Sequence, residues 1–208
     1  MFDRKEEDKF YNSLKTFDFT DFGPNEKEDL IEHLEAEGVE CECEEGVSKL
    51  VIMLPHNTEY VYKFPYQYDG PTGEEFHSLT GYWDYCELEV LNYISAKEKE
   101  LDKYFAEISL WKIINDYHIY RQDYCIMYEN KYTELKQHNE MIFMEEYELN
   151  DERLPNMWAF DFIERYDKEE LQKLLEFVDE SSINDLHWEN VGYFNGRPVL
   201  VDYSGFYE

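Results

Sequence analysis

Basic side chains are scarce in this sequence: 19 Lys and Arg stand against 49 Asp and Glu, a formal net charge of −30 over 208 residues. Such a field repels nucleic acid and anionic membrane, so neither is an expected direct partner. It also opposes any bound polyanion unless lysines or a metal cation screen the site. The excess is far beyond what solubility asks of a domain this size. An acidic or halophilic source accounts for it, and so does a surface built for a basic partner. Long apolar runs are missing as well, and Met1 to Phe10 is charged throughout. No membrane span and no signal peptide are expected. The four cysteines, Cys41, Cys43, Cys86 and Cys125, lack zinc spacing, since Cys41-Glu-Cys43 leaves one intervening residue and no histidines cluster beside it. They are expected to be reduced, mostly core thiols of a cytoplasmic protein. What is present is apolar and aromatic: 43% hydrophobic and 18% aromatic residues specify a globular chain with a real core.

The densest pattern lies near the C-terminus. Asp185-Leu-His-Trp-Glu-Asn190 sets an acid five positions before an asparagine, and Val199-Leu-Val-Asp202-Tyr-Ser-Gly205 sets a second acid after an apolar run. Phosphoryl transfer asks for this set: one carboxylate to orient and deprotonate an acceptor hydroxyl, and an amide with a second carboxylate to hold Mg²⁺ on the phosphates. Asn195-Gly196 is a strong hairpin signal, so Gly192-Tyr-Phe and Pro198-Val-Leu-Val are predicted to pair and bring Asn190 close to Asp202. An ordinary hairpin with acidic decoration is the plainer reading of the same residues.

Upstream, Gly46-Val-Ser-Lys-Leu-Val-Ile-Met-Leu54 reads as a turn entering a strand, and Tyr60-Val-Tyr-Lys63-Phe-Pro65 as the next strand. A lysine in mid-strand among Val and aromatics suits an ammonium that reaches phosphates and a carboxylate on a neighbouring helix. An edge-strand lysine that discourages aggregation is the alternative. The helix is Tyr85-Cys-Glu87-Leu-Glu89-Val-Leu-Asn-Tyr-Ile94, in which Val90, Leu91 and Ile94 follow Glu87 at helical spacing. Glu87 is the preferred partner of Lys63, with Glu89 as the other choice.

With these residues in place, the sequence resembles the protein-kinase-like superfamily over roughly residues 40 to 206, in particular aminoglycoside-phosphotransferase-type enzymes and small kinase-like proteins of phage genomes. The resemblance implies ATP and Mg²⁺ as cofactors. It implies a phosphate-covering loop around Gly46, Ser48 and Lys49, a Lys63–Glu87 pair, and a hinge near Gln122-Asp-Tyr124-Cys125 contacting the nucleotide. Asp185 would be the base, and Asn190 and Asp202 the metal ligands. Departures are a single loop glycine, Ile183-Asn184 in place of the usual His-containing pair before the base, and a chain that ends six residues after Asp202.

The expected fold is α+β and kinase-like, two-lobed, with a small antiparallel N-lobe sheet and a truncated helical C-lobe. Residues 1–38 are read as an acidic helical leader, with a helix from Asn25 to Leu34 ending at Gly38. Residues 39–125 form the N-lobe, with strands in 40–66, a loop at Asp69–Gly73 that covers the site, a helix over 83–105, and strands Leu110–Ile114 and His118–Asp123. Residues 126–208 form the C-lobe, with 126–180 mostly helical and Lys168–Phe177 feeding the catalytic loop. Two function classes follow. One is a phosphotransferase or nucleotide-binding protein. The other is a non-catalytic acidic protein, a DNA mimic that occupies a basic nucleic-acid groove of a host defence protein such as a restriction or CRISPR nuclease, in the host cytoplasm if phage-encoded.

Overall fold

The computed structural model describes residues 4–67, 84–128, 154–184 and 186–205. The fold is α+β, with an N-terminal antiparallel sheet and a C-terminal helical region. The chain divides into two compact units, residues 1–91 with 107–124, and residues 92–106 with 125–208. The expected loop at Asp69–Gly73 and most of the Glu-, Tyr- and Met-dense stretch after residue 126 lie outside the described residues. Among the described residues, no helix is long and apolar enough to cross a membrane.

The first unit is built on a five-stranded antiparallel sheet in the order β1-β2-β3-β5-β4. Its strands are β1 (Glu42–Glu45), β2 (Lys49–Met53), β3 (Tyr60–Pro65), β4 (Ile108–Ile114) and β5 (Tyr117–Asp123). Asn115 and Asp116, both at positive φ, close the β4–β5 hairpin in the left-handed turn that suits strand twist. Asn57 shapes the β2–β3 connection, its Oδ1 accepting from the Glu59 and Tyr60 N–H groups.

One sheet face is apolar. Leu50, Ile52, Tyr62, Phe64, Tyr117 and Ile119 are buried there against helices α1 (Arg4–Leu14) and α2 (Lys27–Ala36) and the link between them. Phe19 stacks flat on Tyr117 at 4.4 Å between centroids, and a β-bulge in β4 lets Trp111 pack at 4.7 Å from Tyr62. The acidic leader is thus part of this core: Phe10, Leu14, Leu30 and Leu34 are fully buried. Helix α2 ends as its sequence suggests, with Gly38 at φ +70 and its N–H donating to Glu35 O at 2.8 Å.

The second unit contains the end of α3 (Tyr85–Glu98), a 3-10 turn at Asp102–Tyr104, helices α4 (Asn156–Tyr166) and α5 (Lys168–Glu180), and a three-stranded sheet β6-β7-β8. These strands are β6 (Ile126–Met127), β7 (Val191–Phe194) and β8 (Arg197–Leu200). Ile126 and Met127, expected in a helical stretch, instead pair with Tyr193 and Gly192 as an edge strand. Trp158 is fully buried and its indole N–H donates to Gly192 O at 3.1 Å, which ties α4 to β7. Helix α5 has the apolar face its sequence indicates, with Leu171, Leu174, Phe177 and Val178 buried. Asp167 caps it by accepting from the Glu170 N–H.

Candidate functional site

The other face of the five-stranded sheet carries a buried polar cluster. Register fixes its members: Val51 pairs with Lys63, Lys63 with Tyr120, and Val61 with Gln122. Because side chains alternate along a strand, Lys49, two residues from Val51, shares that face. Lys49, Lys63, Tyr120 and Gln122 are each at most 4% exposed. Helix α3 supplies the acid. Lys63 Nζ lies 2.5 Å from Glu89 Oε2, and Lys49 Nζ bonds the other oxygen, Oε1, of the same carboxylate. The three side chains are 3%, 5% and 0% exposed for Lys63, Lys49 and Glu89, so the cluster is out of water.

This corrects the expected partner. Glu87, the preferred choice, is not the residue that meets Lys63; Glu89, the alternative, is. The reason is helical phase. Two residues on a helix are separated by about 200°, so only one of Glu87 and Glu89 faces the sheet. The apolar residues that suggested Glu87 point the other way: Leu91 is 40% and Ile94 is 49% exposed. The buried residues of α3 are Tyr85, Cys86, Leu88, Glu89, Tyr93 and Ala96, and a hydrophobic periodicity does not reveal the charged one among them.

Asp84 fixes where α3 begins. Its Oδ1 accepts from the Cys86 and Glu87 N–H groups, at 2.9 and 3.1 Å, and its Oδ2 accepts from the Tyr120 hydroxyl. Burial raises the Asp84 carboxyl above the usual Asp value, against the lowering effect of the Tyr120 hydrogen bond. Burial, the Asp84 charge and that hydrogen bond push the Tyr120 hydroxyl up, and burial pushes the Cys86 thiol well up.

The other residues read as nucleotide-binding occupy distinct positions. Gly46, Val47 and Ser48 form the β1–β2 turn, with the Gly46 N–H donating to Lys49 O at 2.9 Å. That amide is committed to closing the hairpin. Gly46 is exposed, while Ser48 is buried and its carbonyl accepts from the Tyr66 N–H. Gln122 is fully buried on the polar face, and Tyr124, at the end of the first unit, is half-exposed with its N–H donating to Glu59 O. The chain leaves the first unit between Tyr124 and Cys125, within the segment read as a hinge.

In the second unit, the hairpin forms in the expected register. Val191 pairs with Leu200 and Phe194 with Arg197, and Asn195 and Gly196 both take positive φ in the turn. Asn190 O accepts from the Val201 N–H at 2.8 Å and the Asp202 N–H at 3.4 Å. The two residues read as metal ligands are therefore neighbours, as the hairpin signal indicates. An amide and a carboxylate are hard oxygen donors that suit Mg²⁺, which is held by one or two carboxylates with phosphates and water rather than by a full protein cage. Among the described residues, no group of three or more His, Cys, Asp and Glu that could hold a metal ion is present. Asp185 itself lies outside the described residues. His187 caps the short helical turn Trp188–Asn190, its Nδ1 accepting from the Glu189 N–H at 3.2 Å. That is a structural role.

Two residues that hold this hairpin were not singled out by sequence. Tyr203 is fully buried, its hydroxyl donating to Ala106 O at 2.6 Å and its carbonyl accepting from Asn92 Nδ2 at 2.8 Å. Gly205, at φ +75, approaches the backbone of Ser182 so closely that a Cβ there would lie 2.4 Å from Ser182 O. Only glycine allows the tail to rest on Ser182-Ile183, immediately before Asn184. The Asp-Tyr-Ser-Gly run contained the signal.

No family model, curated protein or solved structure matches this chain.

Proposed function

We propose that the protein is a kinase-like, nucleotide-dependent phosphotransferase that uses ATP and Mg²⁺. The observation that supports this reading most is the buried pairing of a mid-strand lysine, Lys63, with a helix carboxylate, Glu89. A buried ion pair is a poor stabilising device, because desolvation of both charges offsets their attraction. A polar cluster in that position points to a ligand site. Lys63 meets nucleotide phosphates as a point charge, and Glu89 orients it. In the second unit, Asn190 and Asp202 would hold the metal, and Asp185 would accept the proton of the acceptor hydroxyl. Mg²⁺, when bound, neutralises charge on the phosphates.

The roles separate by mutation. Asp202→Ala should abolish Mg²⁺-dependent nucleotide binding, whereas Asp185→Ala should spare binding and remove transfer, because one residue serves the metal and the other the acceptor. Nucleotide affinity and ATP consumption measured on both variants test this. Wild-type ATP consumption by Asp185→Ala would overturn the enzyme reading.

A second reading, a non-catalytic acidic protein that binds a basic groove, is favoured by one specific observation. Every Asp and Glu between residues 28 and 45 is exposed, and no Lys or Arg interrupts them. Retention of a basic nucleic-acid-binding protein at low salt and its release at high salt, with loss on neutralising Glu32, Glu35, Glu42 and Glu44, is its expected outcome.

A further inference from the structure

We propose that Cys41 and Cys43 form a thiol–disulfide exchange site, which reacts with small disulfides carrying positive charge and closes into an intramolecular disulfide. The site is separate from the phosphotransferase reading and does not depend on it.

The two residues flank Glu42 at the start of β1, an edge strand of the five-stranded sheet. Alternation sends Glu42 and Glu44 outward and turns Cys41 and Cys43 toward the aromatic core, against which both are partly buried. Both are unbridged thiols that solvent reaches, whereas Cys86 and Cys125 are buried. Their sulfurs lie 4.0 Å apart and share a hydrogen bond. About 2 Å of closure brings them to bonding distance, since a disulfide S–S bond is about 2.05 Å. The backbone permits that movement. Two residues along a strand span about 6.8 Å, the upper end of the Cα separation that a disulfide bridges. Cys41 precedes the first ladder pair, Glu42 with Met53, so the backbone at this end of β1 can shorten. A bridge at that limit is strained and readily reduced, which makes closure reversible.

The pair is not symmetric. The hydrogen bond from Cys43 holds the Cys41 thiol below its usual value, against burial and the charge of Glu35 on α2. The same bond, burial, and the Cys41 and Glu35 charges push the Cys43 thiol up. Cys41 therefore supplies the attacking thiolate. Its sulfur bonds one sulfur of the incoming disulfide, and the other sulfur leaves as a thiolate. Cys43 then gives up its proton and attacks the Cys41 sulfur, displacing the second thiolate. Two electrons pass from the cysteine pair to the incoming disulfide, and the protons lost by the pair are taken up by the two released thiolates.

Charge selects the reactant. Glu35, Glu40, Glu42, Glu44 and Glu45 are all exposed, and Lys27 pairs with Glu45. This field draws in a disulfide with ammonium ends and repels one with carboxylate ends.

The test incubates the full chain with cystamine, which is cationic, with neutral hydroxyethyl disulfide, and with anionic oxidised glutathione. Remaining thiols are alkylated and the tryptic peptide Glu28–Lys49, which holds both residues and no other cysteine, is weighed. The wild-type peptide should lose two hydrogens and both alkylation sites, and regain them with dithiothreitol. At low salt cystamine should react about tenfold or more faster than oxidised glutathione, with the neutral disulfide between them, and high salt should narrow the gap. Cys43→Ser should stop at a mixed disulfide on Cys41. Cys41→Ser should react more slowly than Cys43→Ser by about tenfold, because burial and Glu35 still oppose a thiolate at Cys43. Circular dichroism checks that both variants fold, and the wild-type readouts stand without them. A wild-type peptide that keeps both alkylation sites in excess cystamine, or takes two mixed disulfides without closing, overturns the inference. Equal rates with cystamine and oxidised glutathione, or Cys41→Ser reacting as fast as Cys43→Ser, also overturn it.

Discussion

The two faces of the five-stranded sheet bury clusters of opposite chemistry. One is closed by aromatic rings from α1, α2 and their link, among them Phe10, Phe19 and Phe22 on Phe64 and Tyr117. The other buries Lys49, Lys63, Glu89, Tyr120 and Gln122. The strands are shared, so strand propensity cannot explain the difference. The first face gives the unit its stability through removal of apolar area from water. The second takes charged and polar groups out of water, which costs free energy unless they are paired.

Loss of one side chain is costly on either face, and the comparison breaks if replacing the whole polar cluster with apolar residues is costly too. Phe64→Ala should destabilise by about 3–5 kcal/mol, the usual range for a buried aromatic, as read from urea unfolding. Glu89→Ala should cost a similar amount, about 3–5 kcal/mol, because it removes the carboxylate that both buried ammoniums bond. The sharper experiment replaces the cluster whole. The triple variant Lys49→Met, Lys63→Met, Glu89→Leu should be as stable as wild type, or more so by about 1–4 kcal/mol, while losing all nucleotide binding. A triple variant that is less stable than Glu89→Ala would show that the polar face is structural.

Smaller effects refine the boundary between the faces. Tyr62 belongs to the aromatic side, yet its hydroxyl donates to Glu7 Oε1 at 2.7 Å and accepts from Asn57 Nδ2, pinning α1 to the sheet. Tyr62→Phe should cost about 1 kcal/mol by chemical denaturation and leave ligand affinity unchanged. Asp84 belongs to the polar side. Its carboxyl is raised above 3.8 by burial, so the stability tied to its protonated form is fully present below 3.8 and lost as pH rises through the raised value. Asp84→Asn keeps an acceptor for the helix N-terminus and removes the charge. Its melting temperature should exceed that of wild type at pH 7 and converge with it near pH 3. A gain that persists at pH 3 would contradict burial as the cause.

Much of this was legible in the sequence, for identifiable reasons. Local turn chemistry is short-range, so Asn195-Gly196 placed β7 and β8 in register and made Asn190 a neighbour of Asp202. Gly38 marked the end of α2 for the same reason. Helix phase was not legible in α3, because its buried stripe contains Glu89 and Cys86 while Leu91 and Ile94 are exposed. A hydrophobic pattern reads burial of oil, and this helix buries charge. Lys49 read as part of a loop, and the strand register sets it instead in β2 on the face of Lys63. Gly205 is a tertiary requirement, set by Ser182 more than twenty positions away.

The most direct test is thermal unfolding of wild type and Lys63→Met in Mg²⁺ with increasing ATP. If the polar face is a nucleotide site, wild type should gain about 2.7 kcal/mol at a ligand concentration 100 times the dissociation constant, and Lys63→Met should gain nothing at the same concentration. A wild-type transition that does not move with ATP and Mg²⁺, or an equal shift in both proteins, would contradict the account.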